Sequence, residues 1–320
     1  MIKILANDGI HPDGQMLLEE AGYQVDTTHI PQEQLLKVLP NYDAVIVRSA
    51  TKIRKDLIAA CPRLKVIARG GVGMDNIDVD FAKTQGKQVI NTPNASSQAV
   101  AELVIGQIFT LARGLHFANR QMPEEGATEF KKLKELYSEG LQVKGKTLGI
   151  VGFGRIGLEL AKMALGLGMR VIAHDLNEQK TKIAMSLHDV PQLSFQLDFK
   201  TTSFEKVLAQ SDFLSLHVPF VGLKPILGAA EFNKMKRGSF IINTSRGGTV
   251  DELELINALN SGQIAGAALD VFDNEPKPRT EILQHPRISL TPHIGASTLE
   301  AQRYIGLELA DALIAIFDTN

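Results

Sequence analysis

Three side chains suited to acid–base and anion chemistry follow short apolar runs late in the chain: Arg246 after residues 239–243, Glu275 just past 265–270, and His293 after 288–292. Such runs form parallel strands, and the carboxyl ends of parallel strands open onto one crevice, so distant residues converge there. His293 can accept a proton because its intrinsic pKa lies near working pH. A carboxylate at Glu275 would fix which ring nitrogen faces a substrate and favour the imidazolium form. Arg246 can grip a carboxylate with two hydrogen bonds while polarising the carbonyl beside it, a task to which the point charge of lysine is less suited. Singly, each residue type is usually structural. Together, at strand ends beside a dinucleotide motif, they point to hydride transfer.

That motif is Gly152-Phe-Gly154-Arg155-Ile156-Gly157, which follows the apolar run 147–151 and opens a pattern of helical periodicity. Gly152 would make the tight turn, Gly154 would admit the pyrophosphate and Gly157 would let helix and strand pack, with the helix N-terminus holding the phosphates. Asp175 ends the next run, about 20 residues on, where an acidic side chain receives the ribose hydroxyls. The cofactor expected is NAD rather than NADP, because a carboxylate at about 4 Å repels a 2′-phosphate by about 4 kcal/mol per unit pair. Leu176 and Asn177 offer no arginine to offset it. Asp270 is placed to bind the nicotinamide carboxamide. His217, through its backbone, joins Pro219, Thr244 and Gly295 as a further expected cofactor contact, and the His217 side chain reads as structural.

The elements that must position these residues alternate strand and helix throughout, which dictates an α/β fold of parallel sheets with crossover helices. Residues 1–95 read as one small α/β domain with strands near 3–7, 42–48, 65–69 and 87–92. A long helix is expected from Ser96 or Ser97 to about Asn119, able to bridge two domains. Residues 121–142 are charged with few apolar anchors and read as a solvated arm, ahead of the alternative of a partner-embracing excursion. Six further strands, near 147–151, 170–174, 212–218, 239–243, 265–269 and 287–291, suit a doubly wound dinucleotide-binding fold. The stretch 177–201 has no evident role. The last helical pattern, 298–316, has no strand after it and is placed back on the first domain. The expected division is therefore 1–95 plus 296–320 for a flavodoxin-like substrate domain, and 96–295 for the inserted Rossmann domain.

At the substrate end, Arg48-Ser49 and Arg69-Gly-Gly-Val72-Gly73 finish strands of the first domain. Small residues at 70, 71 and 73 would let successive amides form an anion-binding concavity. Arg48, Lys52 and Arg69 supply more positive charge than a plain 2-hydroxy acid needs, in a chain of formal net charge -2. A second anion, a phosphate, is the natural partner.

The overall charge excludes a basic field for nucleic acid or an anionic membrane. With 44% hydrophobic and 22% charged residues, the composition is globular. The longest apolar stretch, 99–112, is interrupted by Glu102 and Gln107 and falls short of the ~20 residues of a spanning helix. No signal peptide is evident, so a cytoplasmic protein is expected. The one cysteine, Cys61, cannot make an intrachain disulfide, and no histidine spacing suggests a metal site.

At these residues the chain resembles the D-isomer-specific 2-hydroxyacid dehydrogenases, most closely the members that act on D-3-phosphoglycerate. The resemblance rests on segments 47–52, 71–78, 91–93, the glycine fingerprint, 243–247, 268–272 with Glu275-Pro276, and 292–297. It implies that Arg246, Glu275 and His293 are the catalytic set. It also implies a discontinuous substrate domain, a cleft that closes on substrate, and a homodimer built on the region of residues 96–120. Basic residues matching Arg48, Lys52 and Arg69 would hold a substrate phosphate, with Ser49, Val72 and Gly73 beside them. The implied reaction is NAD-dependent oxidation of D-3-phosphoglycerate to 3-phosphohydroxypyruvate, the entry to serine biosynthesis. Two alternatives stay open: an unphosphorylated acid such as glyoxylate or hydroxypyruvate as substrate, and an NAD-sensing interaction protein without turnover. Two departures stand out. The loop after Pro219 lacks the threonines common in the family, and the chain stops at Asn320, short of the serine-sensing domain many members carry.

Overall fold

The computed structural model describes residues 1–177, 180–187, 190–220, 222 and 224–318. Two compact units divide the chain: Met1–Ala99 with Ala296–Asn320, and Val100–Gly295.

The first unit holds strands β1 (Lys3–Ala6), β2 (Gln24–Asp26), β3 (Ala44–Val47), β4 (Val66–Arg69) and β5 (Gln88–Asn91) in one sheet of order β2-β1-β3-β4-β5. Every pairing in it is parallel. All four residues of β3, Ala-Val-Ile-Val, are buried, the unbroken apolar run required of a strand covered on both faces. Leu5, Val45 and Ile67 enter one core, and Ile4, Ile46 and Val66 enter the other, which is closed by Leu309 and Leu313 of the helix Leu299–Asp318. That helix meets Pro12–Glu20 at backbone distance: a Cβ on Gly14 would lie 2.4 Å from the Gly306 carbonyl oxygen. β2 is an addition to the sequence expectation. Its three residues are exposed or half-buried and carry too little apolar pattern to be read.

The second unit contains β6 (Thr147–Val151), β7 (Arg170–His174), β8 (Lys180–Leu187), β9 (Val190–Lys200), β10 (Phe213–Leu216), β11 (Ser239–Asn243), β12 (Ile264–Leu269) and β13 (Ile288–Leu290). Six of these form a parallel sheet of order β13-β12-β11-β10-β6-β7, so the strand order reverses between β6 and β10. Its faces are again both covered, Ile241 entering one core and Ile242 the other.

Three expectations need correction. The helix expected to run to about 119 ends at Arg113, turns by 60° through Gly114 at φ +60, and resumes as Leu115–Glu125. Leu115, counted on the apolar stripe, is therefore 48% exposed. The presumed solvated arm carries most of its length in the helices Leu115–Glu125 and Phe130–Leu136, and Leu133 is buried. The stretch 177–201 forms the antiparallel pair β8–β9, apart from residues 178, 179, 188 and 189, which lie outside the described residues. Thr181, Ile183 and Met185 face Phe199, Leu197 and Phe195 across that pair, an alternation that makes one side apolar. Ile183 is buried in the core shared with the helix Arg155–Gly166, and the polar partners fall on the other side. Among the described residues no single helix is long and apolar enough to cross a membrane.

Candidate active site

The glycine fingerprint joins β6 to the helix Arg155–Gly166. Gly152 has φ +92, and a Cβ there would stand 2.4 Å from the His217 carbonyl oxygen. A Cβ on Gly157 would lie 2.5 Å from the Gly152 carbonyl oxygen, so that glycine sets the close packing of helix on turn. Around Gly154 a Cβ would meet nothing within 4 Å, leaving its backbone open to an approaching anion. Arg155, exposed, and Ile156, half-buried, start the helix, whose first-turn amides are free to bind phosphate.

Asp175 ends β7 and reaches back to the fingerprint, accepting from the Phe153 amide at 2.8 Å and from the Asn177 amide at 3.1 Å. A cavity of about 570 Å³ adjoins it, lined by His174, Leu176, Thr202, Ser203, Lys200 and Lys206. The two lysines and Ser203 are residues that the sequence expectation missed, since it weighed only Leu176 and Asn177. Lys200 ends β9, so only the unforeseen hairpin brings it there. The hairpin also braces the fingerprint, with the ring of Phe199 stacked on that of Phe153 at a centroid distance of 4.7 Å.

His217 serves the turn through its backbone. Its Nε2 pairs with Ser215 Oγ at 2.9 Å, and burial lowers its pKa to about 3, so its side chain is a neutral packing group. Pro219 follows in the same loop, where 221 and 223 lie outside the described residues. The missing threonines of that loop fall partly on those positions. Thr244 carries a buried Oγ with no hydrogen-bond partner among the described residues, which suits a cofactor contact. With the open Gly154 and the acid at Asp175, these residues fit a dinucleotide.

The three candidate chemical groups sit on loops that leave the adjacent strands β11, β12 and β13. The loop after β11 closes on itself: the Asn243 amide group and the Thr249 hydroxyl both donate to the Arg246 carbonyl, and Arg246 Nη1 donates to the Ser245 carbonyl at 2.6 Å. The loop after β13 is held by Asp270, only 2% exposed, whose carboxylate accepts from Thr291 Oγ at 2.7 Å and from the amides of Ile294 at 2.8 Å and Gly295 at 2.9 Å. Within that loop His293 adopts φ +55, a left-handed conformation unfavourable to a side chain that persists only where the surroundings over-determine it. Asp270 supplies that over-determination.

His293 Nδ1 lies 2.8 Å from Glu275 Oε2, and Glu275 Oε1 accepts from the Phe272 amide at 2.9 Å. Burial alone would push the Glu275 carboxyl up. The His293 ring, the Phe272 amide and the charges of His293 and Arg246 outweigh it and hold the group below its ordinary value. An ionised Glu275 accepting from Nδ1–H leaves the lone pair on Nε2, the arrangement of a general base. Among the described residues no group of three or more His, Cys, Asp or Glu could hold a metal ion.

Apart from Arg246 and His293, the candidate substrate residues belong to the first unit. Arg48 follows β3, its amide donating to Asp8 Oδ2 at 2.6 Å, and the Asp8 carboxylate also accepts from the Thr51 amide and hydroxyl. Ser49 and Lys52 are exposed in this turn, which Asn76 ties from beneath through the carbonyls of Arg48 and Thr51. The anion concavity needs correction. The Gly70 amide donates to the Val47 carbonyl and the Gly71 amide to Thr92 Oγ at 2.8 Å, which leaves Val72 and Gly73 for an anion. Arg69 folds over Gly71, whose φ of +138 and missing Cβ make room for the guanidinium. Arg48 also lines a cavity of about 230 Å³ together with Asp8, His11, Gly70 and Gln302. His11 and Gln302 gave no sequence signal, because neither stands at a strand end or in a motif.

The family model described as D-isomer specific 2-hydroxyacid dehydrogenase, NAD binding domain, matches residues 105–295. The chain belongs to that family. It is thus an NAD-dependent oxidoreductase of the D-2-hydroxyacid dehydrogenase type. The hydroxypyruvate reductase of Thermotoga maritima is 41% identical over 97% of this chain and 97% of its own length. The D-3-phosphoglycerate dehydrogenase of Methanocaldococcus jannaschii is 37% identical over 98% of this chain but 57% of its own length, so the chain spans little more than half of that relative. The crystal structure of a glyoxylate reductase from Paecilomyes thermophila superposes with a TM-score of 0.83 at 29% identity, covering 99% of this dehydrogenase and 95% of that chain.

Proposed function

We propose that this D-2-hydroxyacid dehydrogenase oxidises D-3-phosphoglycerate reversibly to 3-phosphohydroxypyruvate, in the cytoplasm, as the entry to serine biosynthesis. The observation that carries the phosphate is the pair of cations after β3: neither Arg48 nor Lys52 forms an ion pair among the described residues, although 36 acidic residues are available. With Arg69 they take the phosphate, beside Ser49, Val72 and Gly73. Arg246 holds the carboxylate and polarises the C2 oxygen. His293 Nε2 removes the hydroxyl proton, and Glu275 steadies the imidazolium that forms. NAD, when bound, accepts the hydride from C2. Gly152, Gly154, Arg155, Ile156, Gly157, Asp175, His217, Pro219, Thr244, Asp270 and Gly295 form its binding surface, and Asp175 favours NAD over NADP. Lys200 and Lys206 in the same cavity narrow that preference. A homodimer through the region of residues 96–120 completes the proposal.

NADH oxidation with 3-phosphohydroxypyruvate, hydroxypyruvate and glyoxylate tests the reading: the phosphorylated acid should give the highest kcat/KM, and Arg48→Ala should lower that value alone. A second reading, reduction of hydroxypyruvate or glyoxylate, draws on the full-length likeness to the Thermotoga maritima reductase. Equal turnover of plain and phosphorylated acids would favour it.

A further inference from the structure

The loops that carry Arg246 and Glu275 leave neighbouring parallel strands, whose pairing ends with the hydrogen bond from the Asp270 amide to the Asn243 carbonyl, so the sheet itself does not set the spacing of the loops. Two contacts do. Gly247 packs on the loop after β12 so closely that a Cβ would lie 2.0 Å from the Phe272 carbonyl oxygen. The next amide, that of Gly248, donates to Asp273 Oδ1 at 2.6 Å. Asp273 is in turn anchored from below: its own amide donates to Glu252 Oε1 at 2.9 Å, and Glu252, 4% exposed, pairs through Oε2 with Arg279 Nε at 3.2 Å.

We propose that Asp273 is a positioning residue that, seated on Glu252, fixes the distance between the Arg246 guanidinium and the Glu275–His293 pair. It stands two residues before Glu275 and directly after Phe272, the neighbour of Gly247 across the gap, so any slack at its carboxylate is transmitted to both. A carboxylate accepting a backbone N–H is a charge-assisted hydrogen bond, short and directional enough to hold a loop. Reaction geometry is unforgiving, and a displacement of about 1 Å costs on the order of 10²-fold in rate. The inference rests on the reading of Arg246 as the carboxylate clamp.

The test compares Asp273→Ala, Asp273→Asn and Arg246→Ala by steady-state kinetics with 3-phosphohydroxypyruvate and hydroxypyruvate, and by fluorescence titration with NADH. Asp273→Ala should raise KM for both acids about tenfold, with a smaller fall in kcat and an unchanged Kd for NADH. Asp273→Asn should recover most of the loss, because its amide oxygen still accepts from Gly248. A merely structural role would instead lower the melting temperature and NADH affinity together without splitting KM from kcat. Unchanged KM in Asp273→Ala, beside a sharp rise in Arg246→Ala, overturns the inference alone. Unchanged KM in both variants overturns the reading of Arg246 as well. Should Asp273→Ala not fold, Asp273→Ser, which offers only a short hydroxyl, carries the same comparison.

Discussion

The strand ends of the two units are built on opposite plans. After β11, β12 and β13 the second unit ties its groups down with three carboxylates: Asp270 to the loop of His293, Asp273 to the loop of Arg246, and Glu275 to the imidazole itself. After β3 the first unit anchors the backbone through Asp8 and Asn76 but gives the heads of Arg48 and Lys52 no ion pair among the described residues. On the proposed function, this division of rigidity would give a fixed reaction centre and an adaptable substrate end, as a chemistry that recurs with different substrates needs. The relatives fit that lesson, since hydroxypyruvate reductase, phosphoglycerate dehydrogenase and glyoxylate reductase are named for different substrates.

The contrast breaks most visibly at the fixed end. His293→Gln should cost about 10² to 10⁴ in turnover with NADH binding retained. Near-normal turnover would remove the imidazole from the chemistry. Asp270→Ala deprives a buried loop of three hydrogen bonds to a charged acceptor, and denaturant unfolding should register a loss of about 3 kcal/mol or more together with lower kcat. At the adaptable end the effect should be narrower: Arg48→Ala should raise KM about 10- to 100-fold for a phosphorylated acid and leave glyoxylate unaffected. Equal effects on both acids would assign the guanidinium to the carboxylate instead. Asp175→Ser should improve NADP relative to NAD by about tenfold or more, read as the ratio of kcat/KM values.

The smallest effect concerns pH. Because the Glu275 carboxyl sits below its ordinary value of 4.5 in the folded protein, its ionisation stabilises the native state at neutral pH. That contribution is lost as pH falls through the folded value. Melting temperature should therefore decline on acidification below about pH 4.5, and Glu275→Gln should make the decline shallower. Identical curves for variant and parent would show that the pairing adds nothing to stability.

Both sheets were legible because their strands are unbroken apolar runs between turn residues, and the fingerprint was legible because its spacing is dictated by a phosphate. Arg246, Glu275 and His293, the candidate acid–base and clamp residues, could be picked out from residue type at strand ends, and the structure places them on adjacent loops. What escaped detection were features that depend on the partner across a gap. Asp273 and Glu252 look like surface acids until Gly248 and Arg279 are seen against them. Gly70 and Gly71 suggested free amides, yet Val47 and Thr92 had already taken them. Leu115 fits the helical stripe by count, but the left-handed Gly114 rotates it outward. The β8–β9 pair alternates too weakly near its tip to announce a hairpin, so the lysine it delivers beside Asp175 went unseen.

The helix Leu299–Asp318 carries a consequence for biogenesis. It supplies one wall of the first unit's core, yet the ribosome makes it roughly two hundred residues after β5. The second unit can therefore fold while the face of the earlier sheet that carries Ile4, Ile46 and Val66 is covered only in part, by Leu18 and its neighbours. Translation that stalls in between would yield a finished nucleotide-binding half joined to a sticky, half-clothed one, the kind of intermediate that chaperones capture.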